Sequence, residues 1–161
     1  MRAPRRILDA KAARLAAGDL LARHAWTRAD LTVRLRRRGA LPDVAAEVVA
    51  DLVTRGYVDD AAFARQWVLS RAARGYGAAR LRAELRARGV AGPLIDAALS
   101  AIDRGGQLDE ARRLARRRLP ALTRAAPAKA AVRLRDYLLR RGFPGGVVAQ
   151  VLRESLNAPV D

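Results

Sequence analysis

Residues 71–90 read Arg-Ala-Ala-Arg-Gly-Tyr-Gly-Ala-Ala-Arg-Leu-Arg-Ala-Glu-Leu-Arg-Ala-Arg-Gly-Val. Gly75 and Gly89 each follow an arginine, and glycine adopts the left-handed conformation that ends many helices at little steric cost. The segment therefore predicts that one helix ends at Arg74, that a short turn follows, and that a second helix runs from about 78 to 88.

This second helix belongs to a repeat. Two leucines four residues apart, followed by a glycine, occur as Leu31, Leu35 and Gly39, as Leu81, Leu85 and Gly89, and as Leu134, Leu138 and Gly142. After each glycine, the positions at offsets 5, 6, 9 and 10 are apolar: Val44, Ala45, Val48 and Val49; Leu94, Ile95, Ala98 and Leu99; Val147, Val148, Val151 and Leu152. Helical periodicity of this kind recurring at a fixed spacing is typical of a repeat protein.

The predicted fold is all-α, with three tandem three-helix repeats that form an elongated, curved array. The first repeat, with a short N-terminal extension, occupies 1–58, the second 59–106 and the third 107–161. In the first repeat, helices are predicted from Asp9 to Arg23, with Leu8, Ala12, Leu15 and Leu20 inward, from a cap at Thr27 to Arg38, and from Pro42 to Arg55. In the second repeat, they are predicted from a cap at Asp59 or Asp60 to Arg74, from Ala78 to Arg88, and from Pro93 through Ile102. In the third repeat, one helix is predicted from after Gly106 to Pro120, a second ends at Arg141, and a third begins after Pro144. We read Arg104-Gly105-Gly106 as a linker.

The charge composition indicates which class of partner the chain binds. The 161 residues include 32 Lys and Arg against 16 Asp and Glu, so the formal net charge is +16. This excess is spread over the three repeats as +6, +3 and +7, and it favours a polyanionic partner.

The same composition disfavours catalysis. There is no cysteine and only one histidine, His24, so we expect no catalytic residues, no metal site and no cofactor. No apolar run is long enough to span a membrane, and the basic N-terminus lacks the apolar core of a leader peptide. We expect a cytoplasmic protein without a membrane partner.

Several arginines are candidates for binding a partner. Arg38, Arg88 and Arg141 precede the repeat glycines, where a cation also offsets the helix dipole, and we favour that structural role. Arg80 and Arg88 lie four residues from Glu84 and can pair with it. Arg82 and Arg86 have no acid between them, which favours a contact with an anionic partner.

The predicted seventh helix carries Arg112, Arg113, Arg116, Arg117 and Arg118 with few acids nearby in sequence. A solvated face and a phosphate-binding face are both open readings of this cluster. Tyr76 either stacks on a base or partner side chain or fills the gap between two helices. Trp67 and Phe63 are expected in the core, and Asp59 and Asp60 as helix caps rather than metal ligands.

The chain resembles the RecX family, bacterial modulators of the RecA recombinase, over roughly Leu20 to Leu156. The segments that carry the resemblance are Gly56-Tyr57-Val58-Asp59-Asp60 with Phe63-Ala64, Arg74-Gly75-Tyr76-Gly77 through Arg80-Leu81-Arg82 to Glu84-Leu85 and Arg88-Gly89-Val90, and Arg141-Gly142-Phe143-Pro144.

The resemblance implies an all-helical, non-enzymatic regulator that binds RecA nucleoprotein filaments, inhibits recombinase, ATPase and co-protease activities, and binds single- and double-stranded DNA weakly and without sequence preference. We expect it to act as a monomer. The candidate contacts with RecA or DNA are Arg74, Tyr76, Arg80, Arg82, Arg86, Arg112, Arg113, Arg116, Arg117 and Arg135. The alternative function is a free-standing DNA-binding protein with helix-turn-helix-like units.

Overall fold

The computed structural model describes residues 7–157, and these residues are helical throughout apart from short connections. The helices are α1 (Ala10–Leu21), α2 (Arg28–Arg37), α3 (Pro42–Thr54), α4 (Asp60–Ala72), α5 (Ala78–Ala87), α6 (Gly92–Leu99), α7 (Arg104–Ala125), α8 (Ala130–Arg140) and α9 (Gly145–Asn157), with a 3-10 turn at Pro127–Lys129 before α8. Within this range the extended backbone pairing consists of a single isolated parallel bridge between Leu8 and Ala40. The prediction of an all-α fold built from three-helix repeats is confirmed.

The described chain divides into two compact units. The first unit contains the chain up to Arg65 together with Leu85–Ile95, and the second contains Gln66–Glu84 and the chain from Asp96 onward. The three-repeat boundaries at 58 and 106 remain a prediction, since compactness groups part of the second repeat with each neighbour.

Each unit has its own apolar core. In the first unit, the core residues are Ala13, Ala17, Leu20, Leu31, Leu35, Ala40, Ala45, Val48, Val49 and Val58. In the second unit they are Ala111, Leu114, Ala115, Leu134, Leu138, Phe143, Val147, Val148 and Val151. The leucine pairs of all three repeats are fully buried, at 0% exposure. The repeated sequence pattern therefore marks core positions, as predicted.

Side-chain caps begin several helices. The Asp9 carboxylate accepts a hydrogen bond from the amide of Ala12, and the Thr27 hydroxyl accepts one from the amide of Asp30. Asp59 caps α4, since its carboxylate accepts from the Ala62 amide at 2.9 Å. The neighbouring carboxylate of Asp60 accepts from the amide of Arg28 at the start of α2, 2.8 Å away. Both aspartates serve helix N-termini, which confirms their prediction as caps.

A repeated junction joins the end of one repeat's middle helix to the start of the same helix in the preceding repeat. In the first unit, the Arg88 carbonyl at the end of α5 accepts a hydrogen bond from the Thr27 hydroxyl, 2.7 Å away, beside the start of α2. In the second unit, the Arg141 carbonyl at the end of α8 accepts one from the Gly77 amide, 2.8 Å away, beside the start of α5. Each contact places the negative end of one helix dipole against the positive end of another.

Glycine is required at both junctions because the backbone is left-handed and the space is closed. Gly89 has a φ of 73°, and an added Cβ there would lie 2.4 Å from the Cβ of Ala29. Gly142 has a φ of 88°, and an added Cβ would lie 2.5 Å from the backbone nitrogen of Arg80. The repeat glycine thus both ends its own helix and permits the close approach of the preceding repeat.

Three details differ from the sequence predictions. Helix α7 does not stop at Pro120 but continues to Ala125. Proline removes one backbone donor, but Pro120 is exposed, so water can reach the carbonyl left without a partner. The Arg104-Gly105-Gly106 segment is not a linker, since it forms the first turn of α7 with Asp103 as its cap, accepting from the Gly106 amide at 2.7 Å. On α1, Leu15 is 66% exposed and Ala13 and Ala17 are buried in its place.

Candidate functional site: the arginine surfaces

The turn before α5 places an aromatic ring among three arginines. The guanidinium carbons of Arg80, Arg141 and Arg71 lie 4.3, 4.9 and 5.9 Å from the centre of the Tyr76 ring. We call these four residues the tyrosine cluster. Cations at these distances from an aromatic ring are attracted by its quadrupole, so Tyr76 helps to hold like charges close together.

Glu84 on α5 supplies the negative charge that this cluster contacts. Its carboxylate accepts hydrogen bonds from the Arg80 guanidinium at 2.9 Å and from the Trp67 indole at 3.0 Å. Arg71 lies 3.7 Å from the same carboxylate. Partial burial opposes ionisation, but the hydrogen bonds from Arg80 and Trp67 together with the charges of Arg71 and Arg80 outweigh it, so the pKa of Glu84 is lowered. The predicted Arg80–Glu84 pair is confirmed.

The aromatic residues of α4 are less buried than predicted. Trp67 and Phe63 are both partly buried rather than enclosed in a core. The Arg71 guanidinium lies 4.3 Å from the centre of a Trp67 ring. The indole is therefore part of the polar arrangement around Glu84 and supports the arginines of the tyrosine cluster.

Arg141 reaches the cluster from the third repeat. Its guanidinium donates a hydrogen bond to the backbone carbonyl of Arg74, 2.9 Å away, and also lies 5.4 Å from the centre of the Tyr137 ring. These partners are neutral, so among the described residues only Arg71 and Arg80 of the tyrosine cluster contact a carboxylate, that of Glu84. Sequence reasoning assigned Arg141 to the helix dipole alone. The repeat register could have indicated that Arg141 contacts the preceding repeat, because the equivalent Arg88 also does.

The structure gives Arg88 an acidic partner that helical spacing does not indicate. The Arg88 guanidinium contacts the Asp30 carboxylate at 3.1 Å, within the first unit. Asp30 belongs to α2 of the preceding repeat, and the pair therefore strengthens the first junction.

The expectation that both Arg82 and Arg86 lack an acidic partner is also wrong in part. The Arg82 guanidinium forms an ion pair with Asp96 on α6. Within residues 7–157, the structure gives the Arg86 side chain no ion pair or hydrogen bond, and that side chain is exposed. Of these two arginines, Arg86 is the one whose charge is left without a counter-ion.

The cluster on α7 is also partly neutralised. Arg112 donates to both oxygens of Glu154 on α9, each at 2.8 Å, and to Asp109 at 3.0 Å. Arg113 donates to Glu110 from its Nε at 2.8 Å. The hydrogen bonds from Arg112 lower the pKa of Glu154 to about 2. The interpretation that this helix has few acids nearby is therefore corrected, because one acid comes from another helix and two lie three residues away.

Two neighbouring arginines of α7 keep their charge. Arg116 and Arg117 are exposed, and among the described residues neither forms an ion pair or a side-chain hydrogen bond. The same holds for the Arg74 side chain, whereas Arg135 pairs with the adjacent Asp136 at 3.0 Å. The ten predicted contact residues thus separate into those with carboxylate partners, those without one, and Tyr76.

Residues 7–157 contain no group of three or more His, Asp or Glu residues placed to hold a metal ion. Among the described helices, none is both long and apolar enough to cross a membrane.

The chain matches models of known domains over its second and third repeats. Residues 59–99 match the model described as RecX, second three-helix domain, and residues 106–152 match RecX, third three-helix domain.

Curated relatives extend the match to most of the chain. The Regulatory protein RecX of Thermobifida fusca is 45% identical over 142 residues, which cover 86% of this chain and 76% of the relative. The Regulatory protein RecX of Mycobacterium avium is 40% identical over 141 residues, covering 86% of this chain and 82% of the relative.

Solved structures share the fold. RecX from Lactobacillus salivarius superposes with a TM-score of 0.80 at 18% identity, covering 90% of this chain and 95% of that one. A second structure, of regulatory protein RecX, gives a TM-score of 0.82 at 20% identity and covers 88% of this chain and 72% of that one. On the identities and coverage of its relatives, the chain belongs to the RecX family of regulatory proteins.

Proposed function

We propose that this chain is a non-enzymatic regulator that binds the RecA nucleoprotein filament and inhibits its recombinase, ATPase and co-protease activities. It acts as a cytoplasmic monomer and binds single- and double-stranded DNA weakly, without sequence preference. The proposal rests on membership of the RecX family and on the physical character of the surface.

One observation carries the proposal: the surface keeps arginine charge that the protein does not neutralise. Arg86, Arg116 and Arg117 are exposed and have no ion pair among the described residues. An arginine without a carboxylate partner repels its neighbours in the isolated protein. A polyanion or an acidic protein surface removes this repulsion, so these three side chains are the ones we assign to binding.

The paired arginines have a different role in this proposal. Arg80, Arg82 and Arg112 each already form an ion pair, so a partner would gain little charge attraction from them unless the pair broke. We therefore assign them to holding the helices that present the unpaired side chains.

The experiment is a titration of RecA ATPase on single-stranded DNA with the parent chain and with charge-reversed variants. Arg86→Glu tests α5, and the double variant Arg116→Glu with Arg117→Glu tests α7. Surface substitutions of this kind change stability by about 0.5 kcal/mol or less each. Folding is verified by thermal melting before the titration.

We expect the parent to lower the ATPase rate and each charge-reversed variant to need at least several-fold more protein for the same effect. Lys11→Glu is the charge-matched control, because Lys11 is exposed on α1 and outside the candidate set; it should inhibit like the parent. A parent chain that leaves the ATPase rate unchanged contradicts the proposed function. Full inhibition by both folded variants contradicts the assignment of these arginines.

The alternative of a free-standing DNA-binding protein makes a different prediction. Such a protein discriminates between duplex sequences, by about 1–3 kcal/mol for each mismatched base pair. Equal affinity for unrelated duplexes of the same length excludes it.

A further inference from the structure

A cavity in the second unit brings together Arg118 of the α7 cluster and two arginines, Arg133 and Arg140, that the sequence did not single out as contacts. It has a volume of about 310 Å³ and is lined by Arg118, Leu122, Arg133, Asp136, Tyr137 and Arg140. Arg118 and Leu122 come from α7 and the other four residues from α8. The cavity is therefore built within one pair of packed helices.

The charge of this cavity is strongly positive. Three of its six lining residues are arginines, and Asp136 is the single acid among them. The Asp136 carboxylate already accepts two hydrogen bonds from Arg135, at 3.0 and 3.1 Å. Arg118, Arg133 and Arg140 have no carboxylate within ion-pair distance among the described residues.

The aromatic wall fixes the position of one arginine. The Arg118 guanidinium lies 5.4 Å from the centre of the Tyr137 ring, which itself is partly buried. A guanidinium held against a ring loses less conformational freedom when it binds an anion than one extending into water. Leu122 and Tyr137 also give the cavity an apolar side, against which a sugar can pack.

We propose that this cavity binds a phosphate group of a nucleic-acid strand, with Arg118, Arg133 and Arg140 as the phosphate ligands. Guanidinium groups bind phosphate oxygens through pairs of parallel N–H donors, and three of them exceed the charge of one phosphodiester. The remaining positive charge serves the adjacent phosphates of the same strand. The inference rests on the DNA binding of the proposed function and adds a strand-binding cavity to the three arginines assigned there.

The test measures the affinity of a fluorescein-labelled single-stranded oligonucleotide by anisotropy, as a function of salt. The probe variant carries Arg118→Ala and Arg133→Ala. The control carries Arg124→Ala and Arg153→Ala, which remove the same charge from exposed positions that do not line the cavity. Circular dichroism melting verifies that both variants remain folded.

We expect the probe variant to bind at least tenfold more weakly at low salt and the control to change by less than threefold. Each lost phosphate contact also lowers the salt slope of a single strand by about 0.7, so two lost contacts lower it by about 1.4. Equal affinities and slopes for probe and control variants overturn the inference. Competition by pyrophosphate distinguishes a strand from a free anion: displacement at micromolar pyrophosphate shows a site for a small phosphate compound and overturns the strand assignment.

The RecA ATPase titration is run on the same variants to separate this inference from the proposed function. Loss of oligonucleotide binding in the probe variant supports the inference whether or not the parent inhibits RecA. A parent that inhibits RecA while probe and control bind DNA equally supports the function and removes the cavity from it.

Discussion

The two junctions between repeats share a left-handed glycine and a helix-end contact but differ in the partner of the arginine. At the first junction, the Arg88 guanidinium contacts the Asp30 carboxylate, and the Thr27 hydroxyl donates to the Arg88 carbonyl. At the second, backbone amides of Gly77 and Ala79 donate to the Arg141 and Gly142 carbonyls, 2.8 and 3.1 Å away. The Arg141 guanidinium there contacts a carbonyl and two aromatic rings instead of an acid.

The difference shows that two junctions of a repeat protein can keep the same stabilising contact while their arginines differ in charge pairing. The helix-end contact and the left-handed glycine are kept at both junctions, because packing requires them. The partner of the arginine is not kept, and the second junction therefore retains positive charge that the first one neutralises.

The largest expected effect is that of Gly142→Ala at the second junction. The new methyl group would overlap the backbone of Arg80, and the left-handed φ adds strain, so we expect a loss of about 3 kcal/mol or more in unfolding free energy. Urea denaturation measures it. Gly56→Ala is the control, since Gly56 has a φ of 77° with no atom within 4 Å of the added Cβ, and only the strain of about 1 kcal/mol remains.

Gly89→Ala tests the corresponding glycine of the first junction. Its obstacle is the Ala29 methyl group rather than backbone, so adding Ala29→Gly should recover part of the loss. Equal losses for Gly142→Ala and Gly56→Ala would show that the second junction is not closely packed.

Next in size is Thr27→Val at the first junction. The buried hydroxyl caps α2 and donates to the Arg88 carbonyl, so its removal should cost about 2 kcal/mol. Thr54→Val is the matched control, because the exposed Thr54 hydroxyl donates only to the Ala50 carbonyl of its own helix; it should cost about 0.5 kcal/mol or less. Urea denaturation of both variants checks the pair, and equal costs would mean that the first junction does not depend on this side chain.

A smaller effect is expected from Glu84→Gln, which removes the carboxylate beside the tyrosine cluster. The side chain of Glu84 is 21% exposed and contacts two arginines, so we expect a loss of about 1 kcal/mol. Asp51→Asn neutralises the more exposed Asp51–Arg55 pair and should change stability by about 0.5 kcal/mol or less. Thermal melts at low ionic strength compare the two. Indistinguishable variants would mean that Glu84 does not stabilise the cluster.

The smallest effect concerns the pH dependence of the Arg112–Glu154 pair. Because the pKa of Glu154 falls to about 2 from 4.5, its contribution is complete above pH 4.5 and is lost as the pH falls toward 2. Melting temperatures of the parent and of Glu154→Gln, measured from pH 7 to pH 2, should therefore converge at the acid end. A constant difference across that range would contradict the pairing.

The sequence predicts the helices and their buried positions well, because leucine spacing and glycine are local signals. Leu31, Leu81 and Leu134 are all fully buried as the repeat requires. The prediction that α7 ends at Pro120 is wrong, because Pro120 is exposed and the helix can continue past a residue that usually ends one. Whether the surroundings tolerate the lost hydrogen bond is a tertiary property that no local pattern contains.

The candidate site is harder to predict from the sequence, because its ion pairs also depend on tertiary packing. The pair of Arg80 with Glu84 follows helical spacing and is found correctly. Asp96 and Glu154, which pair with Arg82 and Arg112, lie on other helices, 14 and 42 residues away, and no spacing rule identifies them. The charge that remains available for binding is known only after those pairs are assigned.

Regulation of RecA requires, in our proposal, that this chain binds the RecA filament, and a binding measurement can show whether it does. A single-stranded oligonucleotide is immobilised, and association of the chain is recorded before and after RecA has formed a filament on it with a non-hydrolysable ATP analogue. We predict substantially tighter binding to the filament, with weaker binding to bare DNA that weakens further with salt. Affinity for the filament equal to or below that for bare DNA would contradict the claim.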